Sequence, residues 1–185
     1  NNQFFNNSVL NFFINGVFKI RIPGLAWIRC RNKKAIGAMD FIGLNYYSHN
    51  HVKFKFNPKE FFELKFLNKD TITDMPYTIY AEGFYRALHQ ASILNKPIIV
   101  TENGIADAKD INRAKYIEQY LYALSRALED GLDIKGYYYW SLLDNFEWAF
   151  GYDMKFGLYE VDFKTQKRTL RNGSKAFQKI IQQNN

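Results

Sequence analysis

Residues Pro97 to Asp107 read Pro-Ile-Ile-Val-Thr-Glu-Asn-Gly-Ile-Ala-Asp. Ile98, Ile99 and Val100 are apolar and β-branched, the pattern of a short strand buried on both faces. Such strands belong to parallel sheets covered by helices. This one delivers Thr101, Glu102 and Asn103 to its C-terminal end, where Gly104 releases the chain into a turn. A carboxylate at that position is costly to desolvate unless a site uses it, and α/β barrels keep their catalytic groups at that end of their strands. Taken alone, Glu102 reads as a solvated loop glutamate; the block around it is what singles it out.

Outward from this strand the chain alternates. Glu82 to Leu94 reads as a helix with Phe84, Leu88 and Ala91 on one face, broken by Asn95-Lys96-Pro97. Asn112 to Asp130 reads as a second helix, with a stripe of Ile117, Tyr120, Leu121, Leu124 and Leu128 and a stop at Gly131. Ile134 to Trp140 and Phe41 to Tyr47 read as further strands, and a last amphipathic helix runs from about Ser174 to Ile181. Gly157 to Phe163 and Lys167 to Leu170 flank a polar turn as a small hairpin. Phe4 to Gly16 has helical spacing, Arg21 to Gly37 reads as a basic loop broken by Pro23-Gly24, and His49 to Pro76 as a long irregular loop. Strands alternating with helices give the βα rhythm of a parallel sheet.

The 185 residues, 47% hydrophobic and 18% aromatic, suffice for one core. They fall short of the roughly 250 residues typical of a whole (β/α)8 barrel. The chain starts at Asn1, and its first methionine is Met39, so the expectation is a fragment of a longer protein. The net charge of +7 is dispersed apart from small clusters at Arg29 to Lys34 and Lys164 to Arg171, and no nucleic-acid-binding signature accompanies it. Nucleic acid is therefore not an expected partner. Cys30 stands alone, which forbids an internal disulfide. No apolar run spans a bilayer and no signal peptide is visible, so no membrane partner is expected and the reading is cytoplasmic, with a leader on any missing N-terminus left open.

Three blocks carry a resemblance. Pro97 to Asp107 is similar to the nucleophile strand of family 1 glycoside hydrolases, retaining β-glycosidases on a (β/α)8 barrel. Asp40 to Ser48, Asp-Phe-Ile-Gly-Leu-Asn-Tyr-Tyr-Ser, resembles the family's sixth strand. Gly136 to Phe163, which contains Trp-Ser-Leu-Leu-Asp-Asn-Phe-Glu-Trp, resembles its last strand and the sugar-binding loop that follows. The blocks occur in the family's order and at its intervals. The resemblance implies an α/β fold in which residues 1–185 are the C-terminal portion of a single (β/α)8 domain, about strands six to eight with their helices.

The same resemblance implies roles. Retention needs two carboxyl groups about 5 to 5.5 Å apart, one attacking the anomeric carbon and one protonating the leaving oxygen. Glu102 matches the nucleophile, and Tyr47 matches the tyrosine whose hydroxyl bonds it. Asn45 shares the alternation of Tyr47 and is a candidate lining residue, whereas Tyr46 points the other way. Trp140 matches the floor of the glycone subsite, where an indole face suits the apolar C–H face of a pyranose. Glu147 matches the carboxylate that accepts bonds from the 4- and 6-hydroxyls. The Trp148 indole N–H matches the donor to the 3-hydroxyl, and Phe156 borders the same subsite. Members acting on 6-phosphorylated sugars lack this Glu-Trp pair, which implies an unphosphorylated β-glucoside or β-galactoside as substrate of an exo-acting enzyme.

The acid/base motif Thr-x-Asn-Glu-Pro is absent, so the expected partner is the N-terminal remainder of the barrel, and the chain by itself is expected to be inactive. Asp144 and Asn145 read as loop-shaping residues. His49, His51 and His89 fit no metal-ligand spacing, and neither a metal nor a cofactor is implied. Lys155, Ala81 and the run Thr169 to Ser174 depart from the family pattern, the last leaving the entry to the final helix open. The competing reading is a catalytically silent sugar-binding or interaction protein. Glu102 and Tyr47 together favour the enzyme, because binding alone needs neither.

Overall fold

A computed structural model describes residues 6–22, 24, 26–55 and 62–183. Its centre is a three-stranded parallel sheet of β3 (Ile42–Asn45), β6 (Ile98–Asn103) and β7 (Ile134–Tyr139), with β6 in the middle. The strand read from the β-branched run thus has a neighbour on each side, and Ile98 and Val100 are fully buried. Helices α2 (Ala81–Ser92), α3 (Arg113–Glu129) and α4 (Lys175–Gln183) complete three βα units. Among the described residues the sheet stays open, as three consecutive βα units.

One face of the sheet is packed. Phe84, Leu88 and Ala91 of α2 and Tyr116, Tyr120, Ala123 and Ala127 of α3 form a core with Ile98 and Val100, flanked by Ile42, Leu44, Ile134, Tyr137 and Tyr139. The α2 face is the one the spacing predicts. The α3 stripe holds in part: Ile117 is fully buried as expected, Leu128 is 47% exposed, and Tyr116, outside the stripe, is buried beside the expected Tyr120. Their rings stack at 3.9 Å, and the small Ala123 and Ala127 let α3 approach the sheet, so leucine content alone misplaces the buried face. On the other face Gly43, Asn45, Thr101 and Tyr138 lie exposed.

Two loops of the sequence reading prove more ordered. Residues expected as a basic loop belong to an antiparallel hairpin, β1 (Val17–Ile22) with β2 (Ala26–Arg31), which follows α1 (Ser8–Asn15) and the left-handed Gly16. β2 is solvated on both faces, whereas β1 does alternate apolar and charged residues from Phe18 to Ile22, a strand signal that the reading of a basic loop from Arg21 passed over. Phe4 and Phe5, included in the first expected helix, lie outside the described residues. The segment after β3 likewise contains a hairpin, β4 (His51–Phe54) with β5 (Phe62–Lys65). The small hairpin expected near the C-terminus is present as β8 (Tyr159–Val161) and β9 (Arg168–Leu170). No helix among the described residues is long and apolar enough to cross a membrane.

Candidate active site

Glu102 sits on β6 where strict alternation would aim its side chain with Val100 into the core. It does not point there, because the ladder shifts register on both sides, between Leu44 and Asn45 and between Val100 and Asn103. The shift puts Asn103, fully buried, on the core side and turns Glu102 out to a half-buried position. Such irregularities commonly re-aim a side chain beside a site.

Asn103 makes this geometry rigid. Its Nδ2 donates to the Tyr46 carbonyl at 2.6 Å and to Tyr116 Oη at 2.9 Å, and Tyr137 Oη donates to its Oδ1 at 2.8 Å. One amide therefore ties β3, α3 and β7 to the end of β6. Backbone bonds repeat the tie: Tyr46 N–H donates to the Glu102 carbonyl, and Trp140 N–H to that of Asn103. Gly104 is required next, since a Cβ there would lie 1.7 Å from the Trp140 carbonyl oxygen.

Tyr47 Oη donates to Glu102 Oε2 at 2.7 Å, a distance suited to a charge-assisted bond. Burial first, and then this bond to a carboxylate, hold the Tyr47 phenol well above its ordinary range, with the charges of Glu102 and Glu147 adding to the effect. Tyr47 thus stays a donor at any physiological pH. Its ring packs on Tyr77 at 5.9 Å and edge-on to Phe156 at 6.1 Å. Phe156 is 3% exposed, so it acts as a brace behind Tyr47. The Asn45 amide oxygen accepts from Thr101 Oγ1 at 2.6 Å on the open face, beside the pair but not bonded to Glu102.

Trp140 follows β7 directly and is half-buried, joined to Ser141 by a cis peptide. Glu147 N–H bonds the Gly151 carbonyl at 2.6 Å around a short 3-10 turn, Trp148–Phe150, which leaves Trp148 82% exposed. Neither the Glu147 carboxylate nor the Trp148 indole nitrogen has a hydrogen-bond partner among the described residues. The structure therefore joins Tyr47, Glu102 and Phe156 by contact, while the charge of Glu147 is among the causes that raise the Tyr47 phenol. Trp148 stands apart in solvent.

The loop around Glu147 is anchored from below. Asp144, 3% exposed, accepts from Gly157 N at 2.9 Å and pairs with Arg171 at 2.7 Å. Asn145 Nδ2 donates to Ser141 Oγ. Both are loop-shaping residues, as expected. Arg113 went unnoticed in the sequence. It is fully buried and donates to the carbonyls of Ile105, Asp107, Lys155 and Phe156, to Tyr139 Oη and to Asp110. It thereby clamps the loop after β6 to the segment that carries Phe156. Its one sequence signal is the i,i+3 spacing from Asp110, which surface pairs share. The histidines that showed no ligand spacing come together in part, since His49 and His51 meet Asp70 in space.

A family model described as Glycosyl hydrolase family 1 matches residues 25–185. A Beta-galactosidase of Pyrococcus woesei is 36% identical over 95% of this chain and 39% of its own length. Beta-glucosidase A of Acetivibrio thermocellus is 36% identical over 79% of the chain and 36% of its own length. Among solved structures, the beta-glycosidase from Pyrococcus horikoshii superposes with a TM-score of 0.80 at 39% identity, covering 97% of this chain and 41% of that one. The chain thus spans about two fifths of the length of such relatives. With the three βα units and the Tyr47–Glu102 pair at their strand ends, these matches establish that the chain belongs to glycosyl hydrolase family 1.

Proposed function

We propose that this chain carries the nucleophile portion of a retaining, exo-acting β-glycosidase for unphosphorylated β-glucosides or β-galactosides. The observation that carries the reading is the 2.7 Å bond from Tyr47 to Glu102 at the end of a central parallel strand. Glu102 attacks the anomeric carbon, and its carboxylate becomes the ester of a glycosyl-enzyme. Tyr47 holds the attacking carboxylate on line and shares its charge. Trp140 offers an apolar ring face to the sugar, while the unpartnered Glu147 carboxylate and Trp148 indole N–H complete the glycone subsite once a sugar is present.

The carboxyl group that protonates the leaving oxygen comes from the N-terminal remainder of the barrel, whose Thr-x-Asn-Glu-Pro motif this chain lacks. That remainder also covers the exposed sheet face. General acid catalysis typically contributes about 10²- to 10⁴-fold, so the chain alone is expected to leave an aryl β-glucoside intact. Co-production with the N-terminal portion of a family member is expected to restore hydrolysis, with the β-anomer as first product by NMR. Turnover by the purified chain alone, or release of the α-anomer, would overturn the proposal. A sugar-binding protein without catalysis is the second reading, and the Tyr47–Glu102 pair argues against it.

A further inference from the structure

Just beyond Tyr47, the chain gathers a group that the glycosidase chemistry does not use. His49 Nε2 lies 2.9 Å from His51 Nε2, and His51 Nε2 lies 3.5 Å from Asp70 Oδ2. One ligand atom from each of the three residues falls within 4.8 Å of the others. Two come from the start of the loop after β3, and the third arrives from beyond the β4–β5 hairpin, so the fold rather than local spacing makes the group.

We propose that His49, His51 and Asp70 form a binding site for a divalent transition metal of the zinc class. Imidazole nitrogen and carboxylate oxygen are the donors such ions take. A tetrahedral ion about 2.0 to 2.1 Å from each nitrogen needs the two nitrogens roughly 3.3 Å apart. The observed 2.9 Å is reached from there by a small rotation of either ring. Three protein ligands leave a fourth position for water.

Two further features point to a cation. The Asp70 side chain is only 8% exposed, yet its one ion-pair partner among the described residues is His51. A carboxylate withdrawn from water calls for a nearby positive charge. The outer contacts also suit metal binding. Thr78, 1% exposed, places Oγ1 3.0 Å from His49 Nδ1 and 3.2 Å from the His49 carbonyl. When the threonine donates to that carbonyl, it accepts from Nδ1–H, and the lone pair of Nε2 faces Asp70 and His51. This is the tautomer a metal-bound histidine adopts, fixed by a polar partner behind it. Asp70 Oδ2 is itself oriented by the Leu67 N–H at 2.7 Å. An ion there would tie the loop at residue 70 to the strand end at residue 49, next to the Tyr77 ring that supports Tyr47.

The test is a Zn²⁺ titration of the full 185-residue chain against a chromophoric chelator, with Co²⁺ as a spectroscopic probe. The expected result is one ion per chain, and a visible Co²⁺ band typical of a four-coordinate nitrogen and oxygen site. His51→Ala and Asp70→Asn should each weaken uptake at least tenfold, and Thr78→Val roughly tenfold through the lost outer contact. His89→Ala, which changes a histidine paired with Asp130 elsewhere on the surface, should leave uptake unchanged. A chain that is folded by circular dichroism yet takes up no ion overturns the proposal. So does stoichiometric uptake that survives both His51→Ala and Asp70→Asn.

Discussion

Replacing Asn103 by alanine should damage the molecule more than any other single truncation near the site. The side chain is fully buried and makes three hydrogen bonds, to the Tyr46 carbonyl, to Tyr116 and from Tyr137. Each is worth about 1 kcal/mol net, and leaving the Tyr137 hydroxyl buried without a partner adds about 1 to 3 kcal/mol. The expected loss is about 4 to 6 kcal/mol, a large share of the about 5 to 15 kcal/mol that holds a typical domain together. Equilibrium urea unfolding followed by far-UV circular dichroism measures it, with an unchanged slope against denaturant. A double-mutant cycle with Tyr137→Phe isolates the shared bond, and the two changes should fall short of additivity by about 1 kcal/mol. Asn103→Asp keeps the shape but sets an anionic oxygen against the Tyr46 carbonyl, so it should be no milder than alanine. If Asn103→Ala costs less than about 1 kcal/mol, or adds fully with Tyr137→Phe, the amide does not lock the end of β6.

Three further outcomes follow from the same geometry. Tyr47→Phe in the reconstituted enzyme removes one charge-assisted bond worth about 1.5 to 3 kcal/mol, and kcat/KM for an aryl β-glucoside should fall roughly 10- to 100-fold while folding persists. Glu147→Ala and Trp148→Phe should lower kcat/KM for natural hexosides with little change in thermal stability, because neither side chain has a hydrogen-bond partner among the described residues; parental kinetics in both would remove the loop from the glycone site. Alkaline pH should unfold the chain cooperatively. Burial pushes the Tyr120 phenol up to about 12 and those of Tyr116 and Tyr137 well above the usual range. Their contribution is whole below the unfolded value near 10 and is lost as pH rises through the raised folded values, at about 1.4 kcal/mol per group by about pH 11. Phenolate absorbance and circular dichroism should therefore change together above about pH 10, and a smooth, uncoupled titration would contradict the buried network.

The parts legible in sequence were those with a strong local signal. The run Ile98 to Val100 marked a central strand, and Phe84, Leu88 and Ala91 marked the buried face of α2, because apolar period and fold agree there. The pairing of Tyr47 with Glu102 came from motif resemblance, since no local rule links residues on separate strands. The turning of Glu102 out of the core was not legible: it depends on register shifts against both neighbours, and alternation alone predicts the reverse. Arg113 drew no notice, because nothing in a polar run announces four carbonyls waiting for a guanidinium. The β1–β2 hairpin was legible in part, since Phe18, Ile20 and Ile22 alternate with Lys19 and Arg21, but every residue of β2 after Ala26 is exposed, so nothing buries its apolar side chains. Asp70 joins His49 and His51 only once the β4–β5 hairpin folds back, so sequence spacing could not have grouped them.

The central claim is that Glu102 is the residue that attacks the sugar. Reaction of the reconstituted enzyme with a 2-deoxy-2-fluoro-β-glucoside, followed by proteolysis and mass spectrometry, tests it directly. The fluorine slows hydrolysis of the glycosyl ester, so the intermediate accumulates. The account predicts one label per chain on the peptide containing Glu102, and none in Glu102→Gln. A label on Glu147 or any other residue, in an enzyme that turns over the parent glucoside, would contradict it.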